Sequence, residues 1–506
     1  MGRRGPLPAR PQPPPGAPLP SKKNSQPRLL DQLDALFAQA FSGCQARVSE
    51  RLLRLGLSSL ACLGRHHLSG WIQAAGQAGL DWSAAYRLFS CSRFEPADLF
   101  STVRRGALAA LSPDAPFVVA MDDTLVHRGG LKTPGVGWRR DPCGPPFHTN
   151  FIRAQRFVQL SAALPHHSPA GAARLAPIAF AHAPTATRPN KKASPDQHAL
   201  YRRQQRQLNI NLCGASQLEQ LRRDLDQDGA AQRSLCALVD GRFTNATVLK
   251  KLPERTTVIG RIRSDAKLCF PPDPLKAAAT GRRRVYGAPA PSPAQLLADD
   301  SVPVQQVSAY AAGRLHQFPV KTLAAVMWRS GAGPRVLRLL VIKPLRYRLN
   351  NRSRLLYRQP AFLLVSDPDM PLEDVVQRYV WRWEIEVNFR DEKTLLGVGD
   401  PQVFNRDSVE RVPQFQVGLY GLLLVAARQA FGDTPLPDAI PPPKWRQRKS
   451  KQRASTQDLI QHLRNELWAD ALHAKSFYRV CPRRSARQTR HKPHPPLAAA
   501  VLSASS

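Results

Sequence analysis

Apolar residues recur every three to four positions from residue 29 to residue 112, and then the period changes. LLDQLDALFAQAF, VSERLLRLGLSSLACL, LSGWIQAAGQAGL, WSAAYRLFS and LFSTVRRGALAAL each read as an amphipathic helix. Residues 1–28, rich in Pro, Arg and Lys, predict a disordered tail. From Ala115 onward, short apolar runs alternate with helical ones. PFVVAMDD, RFVQLSAAL, SLCALVDGRF and TTVIGRIR predict strands, LEQLRRDLDQ and NATVLKKL helices, and the Pro-, Ala- and His-rich stretch 165–195 a loop. This alternation favours a mixed sheet with helices packed on it. Between 265 and 365 the rhythm breaks. Pro- and Arg-rich loops lead into VPVQQVSAY, FPVKTLAAVMW, VLRLLVIKPL and AFLLVSD, a β-rich insertion. A long helix over 371–395 follows, then a buried helix in VPQFQVGLYGLLLVAARQAF. A Pro- and Lys/Arg-rich linker over 434–455, an amphipathic helix in STQDLIQHLRNELWADAL and a basic tail complete the chain.

Charge narrows the class of partner. The 506 residues hold 73 Lys and Arg against 37 Asp and Glu, a formal net charge of +36. A polyanion is the natural partner, and nucleic acid is the commonest one. A GC-rich genome also raises Arg, but it does not explain the deficit of acids. Eight scattered Cys without a CxxC pair argue against zinc fingers and a disulfide framework, and for reduced thiols in a cytosolic protein. No apolar run approaches ~18 residues, so no membrane span is expected. The N-terminus lacks the apolar core of a secretory signal. The pair of helices around Gly76–Leu80, with Asp81 as N-cap of the second, resembles a helix-turn-helix; a small helical bundle gives the same pattern.

Candidate chemistry concentrates in YVWRWEIEVNFRDEK at 379–393. On one continuous helix Tyr379, Arg382, Glu386 and Lys393 fall at about 0°, −60°, −20° and −40°, a stripe roughly 21 Å long. An acid flanked by two cations and a phenol suits metal and phosphate; the same pattern also occurs as ordinary surface ion pairs. Two more acids end apolar strands: Asp122 in VVAMDD and Asp240 in LCALVD. Strand ends and Asp-Gly turns favour Asp on their own account. Taken with Glu386, the two fit a hard cation that wants oxygen ligands, and two such ions about 3.5–4 Å apart serve phosphodiester cleavage. His66, His67, His166, His167 and His182 lack supporting acids and read as structural or solvated.

At this point the array Tyr-x2-Arg-x3-Glu-x6-Lys resembles the signature of DDE transposases of bacterial insertion sequences. Tyr379, Arg382, Glu386 and Lys393 meet it in full. Gly397, Asp400, Glu410 and Arg411 are similar to the family's flanking positions, and AMDDT and LVDGRF to its two Asp regions. The resemblance covers about residues 30–430. It implies an α/β, RNase H-like mixed sheet with helices, interrupted by a β-rich insertion and preceded by an all-helical N-terminal domain. The parts would be a tail (1–28), a helical DNA-binding domain (29–112), the first part of the core (113–264), the insertion (265–366), the second part with the catalytic helix (367–432), and a basic linker, helix and tail (433–506). It implies that Asp122, Asp240 and Glu386 are catalytic and bind Mg2+, with Mn2+ expected to substitute. Tyr379, Arg382 and Lys393 would hold DNA phosphates. Asp123 follows Asp122, and strand alternation points the two apart, so only one is the ligand; Asp122 is the choice made here. Trp328 in the insertion is a candidate for stacking on a flipped base, or a core Trp; Arg128 and Lys132 are backbone contacts or solvated charges. The implied function is metal-dependent cleavage at transposon ends and strand transfer. Its partners would be double-stranded DNA carrying terminal inverted repeats, target DNA, and a second copy in a synaptic homodimer, in the bacterial cytoplasm. The alternatives are an RNase H-like nuclease that does not transpose and a non-enzymatic DNA-binding protein from a decayed element.

Overall fold

A computed structural model of the chain describes residues 28–130, 132–141, 144, 147, 150–166, 171–273, 284–347, 354–434, 436 and 453–473. The expected N-terminal tail, apart from Arg28, and most of the basic linker and C-terminal tail lie outside these residues. Five helices come first: α1 (Leu29–Ala40), α2 (Ala46–Ala61), α3 (Leu68–Ala74), α4 (Ser83–Ser90) and α5 (Pro96–Ala109). Strands β1 (Phe117–His127), β2 (Gly137–Arg140), β3 (Phe151–Pro165) and β4 (Ala173–His182) lead to helices α6 (Pro195–Gln207) and α7 (Ile210–Gln227). Then come β5 (Leu235–Val239), α8 (Ala246–Leu249), β6 (Thr256–Arg261), β7 (Leu268–Cys269), β8 (Pro289–Ala290) and α9 (Pro293–Ala298). Next are β9 (Gln305–Ala311), β10 (Arg314–Met327), β11 (Val336–Ile342), β12 (Arg346–Tyr347), β13 (Leu356–Tyr357) and β14 (Ala361–Val365). The last helices are α10 (Leu372–Trp381), α11 (Glu384–Thr394), α12 (Ser408–Phe431) and α13 (Thr456–His473). None of the described helices is long and apolar enough to cross a membrane.

Antiparallel β4-β3-β1 continues into parallel β5 and β6, the order of an RNase H-like mixed sheet. β14 then pairs antiparallel with β6, and β11, β10 and β9 continue outward, so the strands after 265 lengthen the same sheet. Helix α7 packs on one face, where the Gly214 backbone lies against Phe243 and Met121. On the other face Val375, Val376 and Tyr379 of α10 and Ile385 of α11 share a core with Val118, Ala120, Leu238, Ile259 and Leu363.

Helices α1–α5 bury their apolar stripes in one cluster with α12. Phe415 of α12 lies 5.3 Å from Phe89 and 6.2 Å from Trp71, ring centre to ring centre. α12 is apolar nearly all round because other elements cover it on several sides. Glycines set the spacing: a Cβ on Gly106 of α5 would lie 2.5 Å from Val425 of α12, and one on Gly418 would lie 2.9 Å from Leu99.

Five expectations need correction. Asp122, expected to end its strand, lies mid-way along β1, which runs on to His127. His166 and His182, expected to lack supporting acids, lie 2.8 Å from carboxylate oxygens of Asp433 and Glu410. The loop expected over 165–195 contains β4; Ala, Pro and His disguised a strand that pairs with β3 across a bulge. NATVLKKL gives only the four-residue α8, capped by Asn245. The long helix expected over 371–395 is two helices. Arg382 and Trp383 keep helical dihedrals, but the amides of Arg382, Trp383, Ile385 and Glu386 each bond three residues back, tightening the turn between α10 and α11. Helix α6 follows no apolar pattern and buries no residue; a Ser194–Gln197 capping box starts it.

Candidate active site

Asp122 lies mid-way along β1. Met121 pairs with Val239, so Asp122 and Asp240 are the next residues on two neighbouring parallel strands. Asp240 opens a tight turn: its Oδ1 accepts from the amides of Arg242 (2.9 Å) and Phe243 (3.3 Å), and Thr244 Oγ1 donates to its carbonyl. Among the described residues its Oδ2 accepts no hydrogen bond. Burial, and then the charge of Asp240, push the Asp122 carboxyl up from 3.8 to about 7.

Arg382, at the tight turn between α10 and α11, is the cation that answers Asp122 and Glu386. Its Nη1 lies 3.4 Å from Asp122 Oδ2 and its Nη2 3.1 Å from Glu386 Oε1. The guanidinium also stands over the rings of Trp383 (5.3 Å) and Tyr379 (5.8 Å). Burial alone would lower the Arg382 pKa, but Tyr379, Asp122 and Glu386 together raise it. Glu386 itself is exposed.

A buried polar seam fastens α11 to the sheet. Asn388 Nδ2 donates to Ser161 Oγ (3.2 Å), and Gln159 Nε2 donates to Glu392 Oε1 (2.9 Å). Tyr420 of α12 reaches Asn388 (3.3 Å), and Thr456 of α13 reaches Asp391 (2.6 Å). Gln159 is the residue opposite Asp122 on β3, so the seam sets the height of α11 above Asp122. Burial raises the Glu392 carboxyl from 4.5 to about 8.

The structure therefore brings together Asp122, Asp240, Arg382, Glu386 and Tyr379. Tyr379 is buried, not displayed along an open stripe. Lys393 lies further along α11, exposed, with Nζ 6.0 Å from the Phe389 ring. Trp328 follows β10, half-buried against the main core with Gly331 folded onto its ring. Asp123 points to the opposite face of β1, where Arg242 pairs with it at 2.9 Å. Arg128 is a buried tie: it donates to Gln155 (2.9 Å) and to the carbonyls of Gly399 (3.1 Å) and Pro401 (2.7 Å), holding the loop after α11 on β1. Lys132 is exposed. Sequence reasoning missed the exposed Trp383 beside the acids and the seam; the i, i+4 spacing of Asn388 and Glu392 was its available signal.

Among the described residues, no three His, Cys, Asp or Glu side chains are already gathered to hold a metal ion. Asp122 and Asp240 meet side by side, whereas Glu386 reaches them through Arg382. The donor set still fits a hard divalent cation: all oxygen, with the Asp122 carboxylate beside a second acid and met only by a long 3.4 Å contact from an Arg382 shared with Glu386, and with Asp240 offering a free oxygen.

An RNase H-like sheet with aspartates side by side on neighbouring strands, linked through Arg382 to a helical glutamate, defines a nuclease-type protein. The family described as DDE superfamily endonuclease matches residues 37–335. The match spans more than half of the chain, which belongs to that family. It takes in Asp122 and Asp240 and ends before Glu386. DDE nucleases generally use divalent metal ions and act on DNA. No curated protein matches the chain.

Proposed function

We propose that the chain is a DDE transposase, which cuts DNA at the ends of its element and joins the freed ends to target DNA. The observation that carries the cleavage step of this reading is the side-by-side placement of Asp122 and Asp240, with Glu386 held to Asp122 through Arg382. Asp122, Asp240 and Glu386 would hold Mg2+, or Mn2+ in its place. Such ions, when bound, activate the attacking water or 3′-hydroxyl and stabilise the leaving oxygen.

The chain's own residues do the rest. The polar seam fixes α11, and Glu386 with it, on the sheet face that carries Asp122. Arg382 neutralises the acids before DNA arrives and, once released from them, is placed to hold a phosphate as a fork of N–H donors. Lys393 and the basic surface neutralise further phosphates, which makes binding steeply salt-dependent. Two copies bring two ends together. The Asp-Asp pair and the family support cleavage; transposition rests on the complete Tyr379–Arg382–Glu386–Lys393 array.

The test uses Glu386→Gln in the full chain. End cleavage in Mg2+ should be lost while end binding stays within about twofold, because Gln keeps the contact to Arg382. Retained cleavage removes Glu386 from the mechanism. A wild-type protein that nicks ends but joins none to a target plasmid would be a nuclease of the same fold.

A further inference from the structure

We propose that the β2–β3 hairpin carries a stacking platform for unpaired bases of the DNA that the carboxylates cut. Trp138 (65% exposed), Phe151 (59%) and Phe404 (66%) are among the most exposed large apolar side chains of the protein. Exposed aromatics grouped in one place need a partner. Trp138 and Phe151 belong to the hairpin, where Trp138 pairs with Arg153 and Arg140 with Phe151. The Arg153 guanidinium stands 5.7 Å from the Trp138 ring and donates to the Gly130 carbonyl at 3.1 Å. On the other side of Gly130 lies Phe404; a Cβ there would come 2.9 Å from its ring. Trp138, Arg153, Gly130 and Phe404 thus form one group, and the Arg128 tie to Gly399 and Pro401 anchors the loop that brings Phe404 in.

Register places this group on the face of Asp122. Asp122 is opposite Gln159, and the odd-numbered residues of β3 from Gln159 back to Arg153 and Phe151 share that face. Six residues of strand separate Gln159 from Arg153, about 20 Å at ~3.3 Å per residue. That span equals about six base pairs of duplex at ~3.4 Å each. Aromatics interleaved with Arg are the composition that binds single strands, since rings accept any base face and the cations follow the backbone. Arg140 and Arg153 share the Trp138 face of the hairpin, and the chain's net charge of +36 favours a polyanion over a protein as the occupant. The inference rests on the DNA-cleaving reading above.

The experiment compares the full-length wild type with Trp138→Ala/Phe151→Ala and with Trp138→Leu. Fluorescence anisotropy at 150 mM salt measures binding to oligo-dT and to a blunt duplex of equal length. Stacking of one or two bases is worth about tenfold or more. Oligo-dT binding should weaken at least tenfold in the double variant and measurably in Trp138→Leu, with duplex binding changed less than twofold. Equal losses on both probes, or none, overturn the proposal. So does a change of oligomeric state by light scattering with DNA binding intact, which would make the patch a protein interface. Mn2+-dependent plasmid nicking by the wild type against Glu386→Gln is scored on the same preparations. If nicking fails while oligo-dT binding still depends on the aromatics, the catalytic reading falls and the platform stands.

Discussion

Asp122→Asn should make the protein more stable while removing its cleavage activity. The Asp122 carboxyl is mostly buried, lies beside Asp240, and is raised from 3.8 to about 7. A group whose pKa is raised on folding binds more protons in the native state between those two values. Stability therefore falls as pH climbs from about 4 to about 7, by up to ~1.4 kcal/mol per pH unit for this proton, and the full loss persists above 7. Across that window the loss comes to about 4 kcal/mol. Asn has nearly the same shape, accepts from Arg382 and cannot ionise. It forfeits the ionic part of a contact that is already long at 3.4 Å. The net gain expected at pH 8 is about 1–3 kcal/mol, with no gain at pH 4. Urea denaturation at pH 4, 6 and 8 measures it, with Glu410→Gln as a control of opposite sign, since the hydrogen bond with His182 holds that carboxyl below its usual value. Asp122→Asn no more stable than wild type at pH 8, with an unchanged pH slope, would refute the claim that this acid is held at a cost to stability.

The same linkage applies to Glu392, raised to about 8: Glu392→Gln keeps an acceptor for Gln159 and should stabilise the protein at pH 8 by an amount on the order of 1–4 kcal/mol, but not at pH 4.5, again by urea midpoint. Mg2+ should raise the melting temperature of the wild type, since a ligand at 100 times its Kd contributes about 2.7 kcal/mol, and the rise should vanish in Asp240→Asn by differential scanning fluorimetry. Gly106→Ala adds a Cβ 2.5 Å from Val425; the overpacking costs about 1–3 kcal/mol against a helix-propensity gain of up to ~1, and Val425→Ala should recover most of the loss in a double-mutant cycle.

Much of the α/β frame was legible because buried strands write themselves as short apolar runs. FVVAM, LCALV, TVIG and FLLV became β1, β5, β6 and β14, each covered on both faces. β4 was not legible, since Ala and Pro carry little strand signal and its pairing with β3 decides its conformation. Helix α6 was hidden for the opposite reason. With nothing buried it has no periodicity to read, only a cap at Ser194. The placement of α1–α5 against α12 joins segments some 300 residues apart, and local pattern cannot carry that.

For the site, residue type was legible and facing was not. Alternation along β1 separates Asp122 from Asp123 but cannot say which of them looks at α11. That choice is made by Gln159 and Ser161 on β3, which hold Glu392 and Asn388, and by Arg382, which takes Asp122. The even stripe from Tyr379 to Lys393 was an artefact of assuming one unbroken helix. The tight turn at Arg382–Trp383 leaves Tyr379 in the core, turns Arg382 inward onto the acids, and leaves Glu386 and Lys393 in solvent. A signature of four residues thus divides into an inner half that shapes the acidic site and an outer half that faces solvent. Arg382 belongs to the inner half for as long as Asp122 and Glu386 hold its guanidinium, so any phosphate it is to grip must wait until another cation relieves it of those two carboxylates.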